Sequence, residues 1–181
     1  MLKLLSGRRH LVYSSVALVS RQQREVVLYG FSMGGMGVAT VMGREDLLTM
    51  IDNQGVTITK IILDGPIANV EKILRKGSDA MGIPAFIANR TFQLLNDEYH
   101  GYPVKMTLSN LLAEVSLPVL ILQGTNDYSQ PIEILLEELQ QLEQPSIQMA
   151  QFEGGRHVKL YQVPEHKARY DSIVSSFLNT P

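Results

Sequence analysis

The chain has 181 residues, 45% of them apolar and 19% charged, which is enough for one domain with a real core, taken as residues 1–181. A net charge of −2 leaves no basic footprint of the kind nucleic acid requires, so no nucleic-acid partner is expected. There is no cysteine, which excludes disulfides and thiol catalysis and fits a cytoplasmic setting.

Residues 1–24 form an atypical start, with Lys3, Arg8, Arg9, Arg21 and Arg24 and no acid before Glu25. A basic, serine-containing segment of this kind can direct a chain to an organelle. No cleavage pattern stands out, and the plainer reading is a surface helix or strand leading into the first core strand. No apolar run reaches the roughly 18 residues of a membrane span, so none is expected.

The first strand is expected at Val26–Tyr29, a short apolar run ended by Gly30. A helix follows over Gly34–Met42, with Gly43 at its C-terminal end. The second strand, Ile58–Leu63, stops at Asp64-Gly65-Pro66. Residues 66–116 form a longer helical insertion, with helices expected over Ile67–Lys76 and Ala85–Asn96. The third strand, Val119–Leu122, follows Pro118 and ends at Gly124. Pro131 suits a first helical position, and Ile132, Leu135, Leu136, Leu139 and Leu142 then keep helical spacing. The fourth strand, Ile147–Phe152, ends at Gly154-Gly155, and Pro164 opens a last helix facing inward through Ile173, Val174 and Phe177. Continuous apolar runs predict strands buried on both faces. Strand and helix alternate, which predicts an α/β fold, a three-layer αβα sandwich around a mostly parallel sheet.

Gly30-Phe31-Ser32-Met33-Gly34-Gly35 directly follows a strand and directly precedes a helix. A serine in such a strand-to-helix turn stands exposed at the sheet edge, on a turn so tight that its neighbours must be small. The N–H of Met33, at the helix start, can face a developing oxyanion. The bland alternative is a glycine-rich turn that binds phosphate or only packs. The spacing is not that of a dinucleotide fingerprint, and no P-loop lysine follows.

A nucleophilic serine needs a base, and the base needs an orienting acid. Of His10, His100, His157 and His166, only His157 follows a late strand. Asp127, just past the third strand in Gln123-Gly124-Thr125-Asn126-Asp127, is the first candidate for the acid. Asp64, which also ends a strand, is the second. Either aspartate can instead serve as a turn residue satisfying local N–H groups. The order Ser32, Asp127, His157 is nucleophile, acid, histidine.

With these motifs the chain resembles the C-terminal two-thirds of an α/β-hydrolase, over roughly residues 24–178. The resemblance rests on Val26–Gly35, on Leu117–Asp127 and on Gly154-Gly155-Arg156-His157, and is nearest to small carboxylesterase-like and prolyl-oligopeptidase-like members. It implies that the four strands are the family's fifth to eighth. It also implies that the usual N-terminal strands, and the His-Gly-type loop that brings a second oxyanion donor, are missing from residues 1–24. Residues 66–116 would overlie the site, with Phe86, Phe92, Tyr99 and Met106 as candidate lining residues. The activity implied is cleavage of an ester or related acyl bond in a small molecule, with no metal or organic cofactor. A peptidase or acyltransferase using the same residues, or a degenerate chain serving as a non-catalytic binding module, are the alternatives. A strand at Val26–Tyr29 without its family neighbours would be an open edge. Leu11–Val19 is either the helix before that strand or an improvised strand beside it, and the edge is covered either by residues 1–24 or by a second copy of the chain.

Overall fold

The computed structural model describes residues 16–17, 25–98, 106–142 and 144–180. A sheet runs in the order β1 (Val16–Ala17), β2 (Glu25–Phe31), β3 (Thr57–Asp64), β4 (Val119–Gly124) and β5 (Ile147–Phe152). Strands β2 to β5 are all parallel. The short β1 pairs antiparallel with Tyr29 and Gly30. Among the described residues the improvised strand is therefore present at Val16–Ala17. Among the described residues, Glu25–Leu28 pair only with β3.

Alternation along each strand sorts the side chains into two cores. On one face Val26, Leu28, Ile61, Leu63, Val119 and Ile121 pack against Val38 and Ala39 of α1 (Met33–Met42), Leu108 and Leu112 of α5 (Leu108–Leu112), and Ile134 and Leu135 of α6 (Ile132–Leu139). On the other, Ile62, Leu120, Leu122 and Phe152 pack against Tyr170 and Phe177 of α7 (Pro164–Asn179). Helix, sheet and helix are the three layers anticipated. Ile173 and Val174 sit half-buried on the second core, also as anticipated.

Several helical boundaries differ from the expectation. The helix expected at Ile67 is α3 (Val70–Ala80), because Asn69 caps it by accepting from the N–H of Lys72. The chain before it stays extended, with Ala68 donating to Gln130 and accepting from Leu108, and Asn69 bridging Thr107. Pro131 lies one residue before α6, as its cap. The helix α2 (Glu45–Asn53) was not foreseen, and none of its residues is fully buried. The helix α4 (Ala85–Glu98) begins where expected and runs two residues further.

Parallel pairing aligns the strand ends. Phe31 is level with Asp64, Asp64 with Leu122, and Gly124 with Phe152. The segments that follow β2, β4 and β5 therefore emerge together at the C-terminal edge of the sheet, where this kind of architecture carries its chemistry. No described helix is long and apolar enough to cross a membrane.

Candidate active site

Ser32 occupies the turn between β2 and α1 with φ 50° and ψ −121°. This backbone is strained for a residue with a Cβ, by about 1–3 kcal/mol. Hydrogen bonds on both sides hold it. Its N–H donates to the carbonyl of Asp64 at 2.9 Å, and its own carbonyl accepts from Gly35 at 2.9 Å and Met36 at 3.3 Å. Gly30 permits the tight turn, since a Cβ there would fall 2.3 Å from the carbonyl oxygen of Gly34. Among the described non-glycine residues, only Val158, next to His157, shares a positive φ, at 41°. Both strained residues lie at this edge of the sheet.

The three residues singled out from the sequence meet there. His157 Nε2 lies 2.7 Å from Ser32 Oγ, and His157 Nδ1 lies 2.7 Å from Asp127 Oδ2. A carboxylate can only accept, so Nδ1–H donates to Asp127 and Nε2 is left to accept from the serine hydroxyl. The Asp127 side chain is 1% exposed. Its Oδ1 accepts from the N–H groups of Ser129 and Gln130, both at 2.9 Å. Its Oδ2 also accepts from Gln123 Nε2 at 3.2 Å. These donors fix the carboxylate and leave one oxygen aimed at the imidazole.

Met33 is 63% exposed at the first turn of α1, where backbone N–H groups have no helical acceptor. A cavity of about 200 Å³ opens beside His157, lined also by Asn126, Tyr128, Ser129, Arg156 and Lys159. Phe92 lines a separate cavity of about 140 Å³ between α3 and α4. Phe86 is 74% exposed and lines neither cavity. Met106 is half-buried and also lines neither. His10, His100 and Tyr99 lie outside the described residues. His166 packs edge-on against Phe152, with ring centroids 5.8 Å apart. No group of three or more metal-ligating side chains is found among the described residues.

Asp64, the second candidate for the acid, is buried beside the pair. Its Oδ2 accepts from the hydroxyl of Tyr170 at 2.7 Å, while Asp127 holds His157. Burial pushes the Asp64 carboxyl up to about 7; the nearby His157 pulls it down and Asp127 pushes it further up. Burial, and then Asp171, push the Tyr170 phenol well above its usual range.

Sequence reasoning missed Gln123, Gln130 and Tyr170. Gln130 accepts from Ala68 N–H and so ties the loop bearing Asp127 to the chain after β3. The signal for Gln123 was present: a glutamine ending the apolar run Val119–Leu122 needs a buried partner.

Comparison of the sequence with family models and with curated proteins yields no match. Solved structures do match the fold. An esterase of Pyrococcus furiosus is 16% identical with a TM-score of 0.58, covering 85% of this chain and 52% of its own. Esterase B from Lactobacillus rhamnosis is 18% identical with a TM-score of 0.61, covering 86% and 53%. A monoacylglycerol lipase of Paleococcus ferrophilus is 18% identical with a TM-score of 0.55, covering 86% and 68%. The chain has the α/β-hydrolase fold and spans about half the length of the two esterases.

Proposed function

We propose that the chain is a serine hydrolase that cleaves carboxylic ester or related acyl bonds through an acyl-enzyme on Ser32. The observation that carries this reading is the unbroken line from Ser32 Oγ through His157 to Asp127, with two contacts of 2.7 Å. The likeness to esterases and a lipase adds support at the level of fold.

Ser32 Oγ attacks the acyl carbon while its proton passes to His157 Nε2. Asp127 keeps the imidazole in the required tautomer and stabilises the imidazolium. The oxyanion that forms on the former carbonyl faces the N–H of Met33. His157 then gives its proton to the departing alcohol, leaving an ester on Ser32. Water attacks that ester, its proton passes to His157, and the acid departs as the proton returns to Ser32 Oγ. Residues 66–116 cover the site in this reading and belong with residues 1–65 and 117–181 to one domain. The outer edge of Glu25–Leu28 is where a second copy of the chain would add a strand.

The test is covalent labelling by a fluorophosphonate probe. The expected result is one label per chain in the wild type and none in Ser32→Ala or His157→Ala. A well-folded wild type that takes no label overturns the proposal and favours a non-catalytic binding role. A series of nitrophenyl esters against peptide and acyl-acceptor substrates then separates esterase from peptidase and acyltransferase.

A further inference from the structure

The mechanism above leaves a carboxyl unused beside the base. Asp64 ends β3 with 1% of its surface exposed. Gly65, with φ +55°, follows it directly beneath the pair: a Cβ there would lie 3.3 Å from His157 Nδ1 and 3.5 Å from Asp127 Oδ2. The ionisable groups around Asp64 come from four directions. They are Tyr29 of β2, Tyr170 of α7, Asp127 after β4 and His157 after β5. Tyr170 donates to Asp64 Oδ2, and the Tyr170 hydroxyl also meets that of Tyr29, which is half-buried. Oδ1 is buried and has no hydrogen-bond partner among the described residues.

These contacts leave Asp64 poorly provided for as an anion. A buried carboxylate with one donor and one bare oxygen carries a desolvation cost that the protonated acid avoids. The groups beside it act in opposite senses. Negative Asp127 favours the protonated acid, and a positive imidazolium on His157 favours the carboxylate. An imidazolium is the species that forms when Ser32 attacks.

We propose, resting on the reading of Ser32 as nucleophile, that Asp64 is a positioning residue whose charge regulates this site by stabilising the imidazolium of His157. Protonated, Asp64 leaves that imidazolium with Asp127 alone. Ionised, it adds a second negative charge beside the pair and lowers the barrier to attack. Burial has already moved the ionisation of Asp64 to about 7, so the change falls in the neutral range. The Tyr170–Tyr29 pair holds Oδ2 in place and links it toward the surface.

The experiment measures the rate of fluorophosphonate labelling of full-length wild type and Asp64→Asn from about pH 5 to about pH 9, the range that brackets the Asp64 ionisation. At the acid end both proteins carry a neutral group here, and the ratio of their rates is close to one. At the alkaline end only the wild type carries the charge. Its rate is about tenfold higher, the effect of one pH unit of interaction energy. A ratio that stays constant across the range overturns the proposal. Infrared spectroscopy supplies a readout without catalysis. A protonated-carboxyl band should disappear from the wild type as pH rises through neutrality and be absent at every pH from Asp64→Asn; a spectrum without that band overturns the proposal. Should Asp64→Asn fail to fold, Tyr170→Phe replaces it. Loss of the donor to Oδ2 moves the rise in labelling to higher pH, and an unmoved profile overturns the proposal. Failure of the hydrolase reading looks different, because the wild type then takes no label at any pH.

Discussion

Gly124 and Gly155 meet backbone to backbone: a Cβ on Gly124 would stand 2.2 Å from the carbonyl oxygen of Gly155. The same carbonyl accepts from Asn126 N–H at 2.9 Å. The loop bearing Asp127 and the loop bearing His157 are thus fastened to each other before either side chain is considered. Gly124→Ala is expected to cost about 1–3 kcal/mol of stability. It should also part Asp127 from His157. Urea unfolding and the rate of fluorophosphonate labelling report the two effects, and a variant with wild-type values in both would show that the close approach is dispensable.

Asp127→Asn keeps the shape of the side chain but reverses the logic of the contact with Nδ1. An amide NH₂ facing Nδ1 favours the tautomer with its proton on Nε2, which then cannot accept from Ser32. The expected loss of esterase rate is about 10³–10⁴-fold with little change in KM. Asp127→Ala should in addition unfold more easily, by about 1–3 kcal/mol, because the N–H groups of Ser129 and Gln130 lose their acceptor.

Lys60 is a buried cation on β3 whose Nζ donates to the carbonyls of Phe177 and Leu178, both at 3.0 Å, and of Thr180. It closes the C-terminal end of α7, where carbonyls have no helical donor and positive charge is favoured. Lys60→Met keeps the length of the side chain and removes the donors. Its expected cost is about 1–3 kcal/mol, read by chemical denaturation, with faster hydrogen exchange in the last turn of α7.

Two buried acids give stability opposite dependences on pH. Asp64, raised from 3.8 to about 7 by burial, binds its proton more tightly folded than unfolded. Its contribution is full below the unfolded value and is lost as pH rises through about 7, by at most about 4 kcal/mol. Burial raises Glu138 as well, but hydrogen bonds from Ser109 and Asn69 and the nearby Lys72 outweigh it and hold this carboxyl below its ordinary 4.5. That contribution is present above the ordinary value and is lost as pH falls through the lower, folded one. Unfolding free energies should therefore decline from mildly acid to mildly alkaline pH in the wild type and decline less in Asp64→Asn. Glu138→Gln should blunt the loss at acid pH. A wild-type stability that is flat from about pH 5 to about pH 8 would count against the ionisation assigned to Asp64.

The sequence by itself determined the layers and the chain order of Ser32, Asp127 and His157. Val26–Tyr29 and Val119–Leu122 are continuous apolar runs, and Ile58–Leu63 and Ile147–Phe152 are mostly apolar, which suits strands of a largely buried sheet. Strand β4 is buried on both faces as expected, whereas β5 keeps Gln148 and Gln151 exposed. Gly30-x-Ser32-x-Gly34 announces its turn because the steric demand lies within five consecutive residues. Asp127 and His157 could be named because each follows a strand, and parallel strands end on one side. Only the tertiary structure decided which aspartate faces the imidazole. Asp64 and Asp127 both stand at strand ends, and their surroundings come from Tyr170, Gln123 and His157, which are distant in the chain. The start of α3 was set by the Asn69 cap on Lys72, with Asn69 itself held extended by its bridge to Thr107. Periodicity records which faces are buried, whereas the partner of a buried polar group depends on which loops the sheet brings together. Two aspartates at strand ends therefore find different partners, Tyr170 for Asp64 and His157 for Asp127.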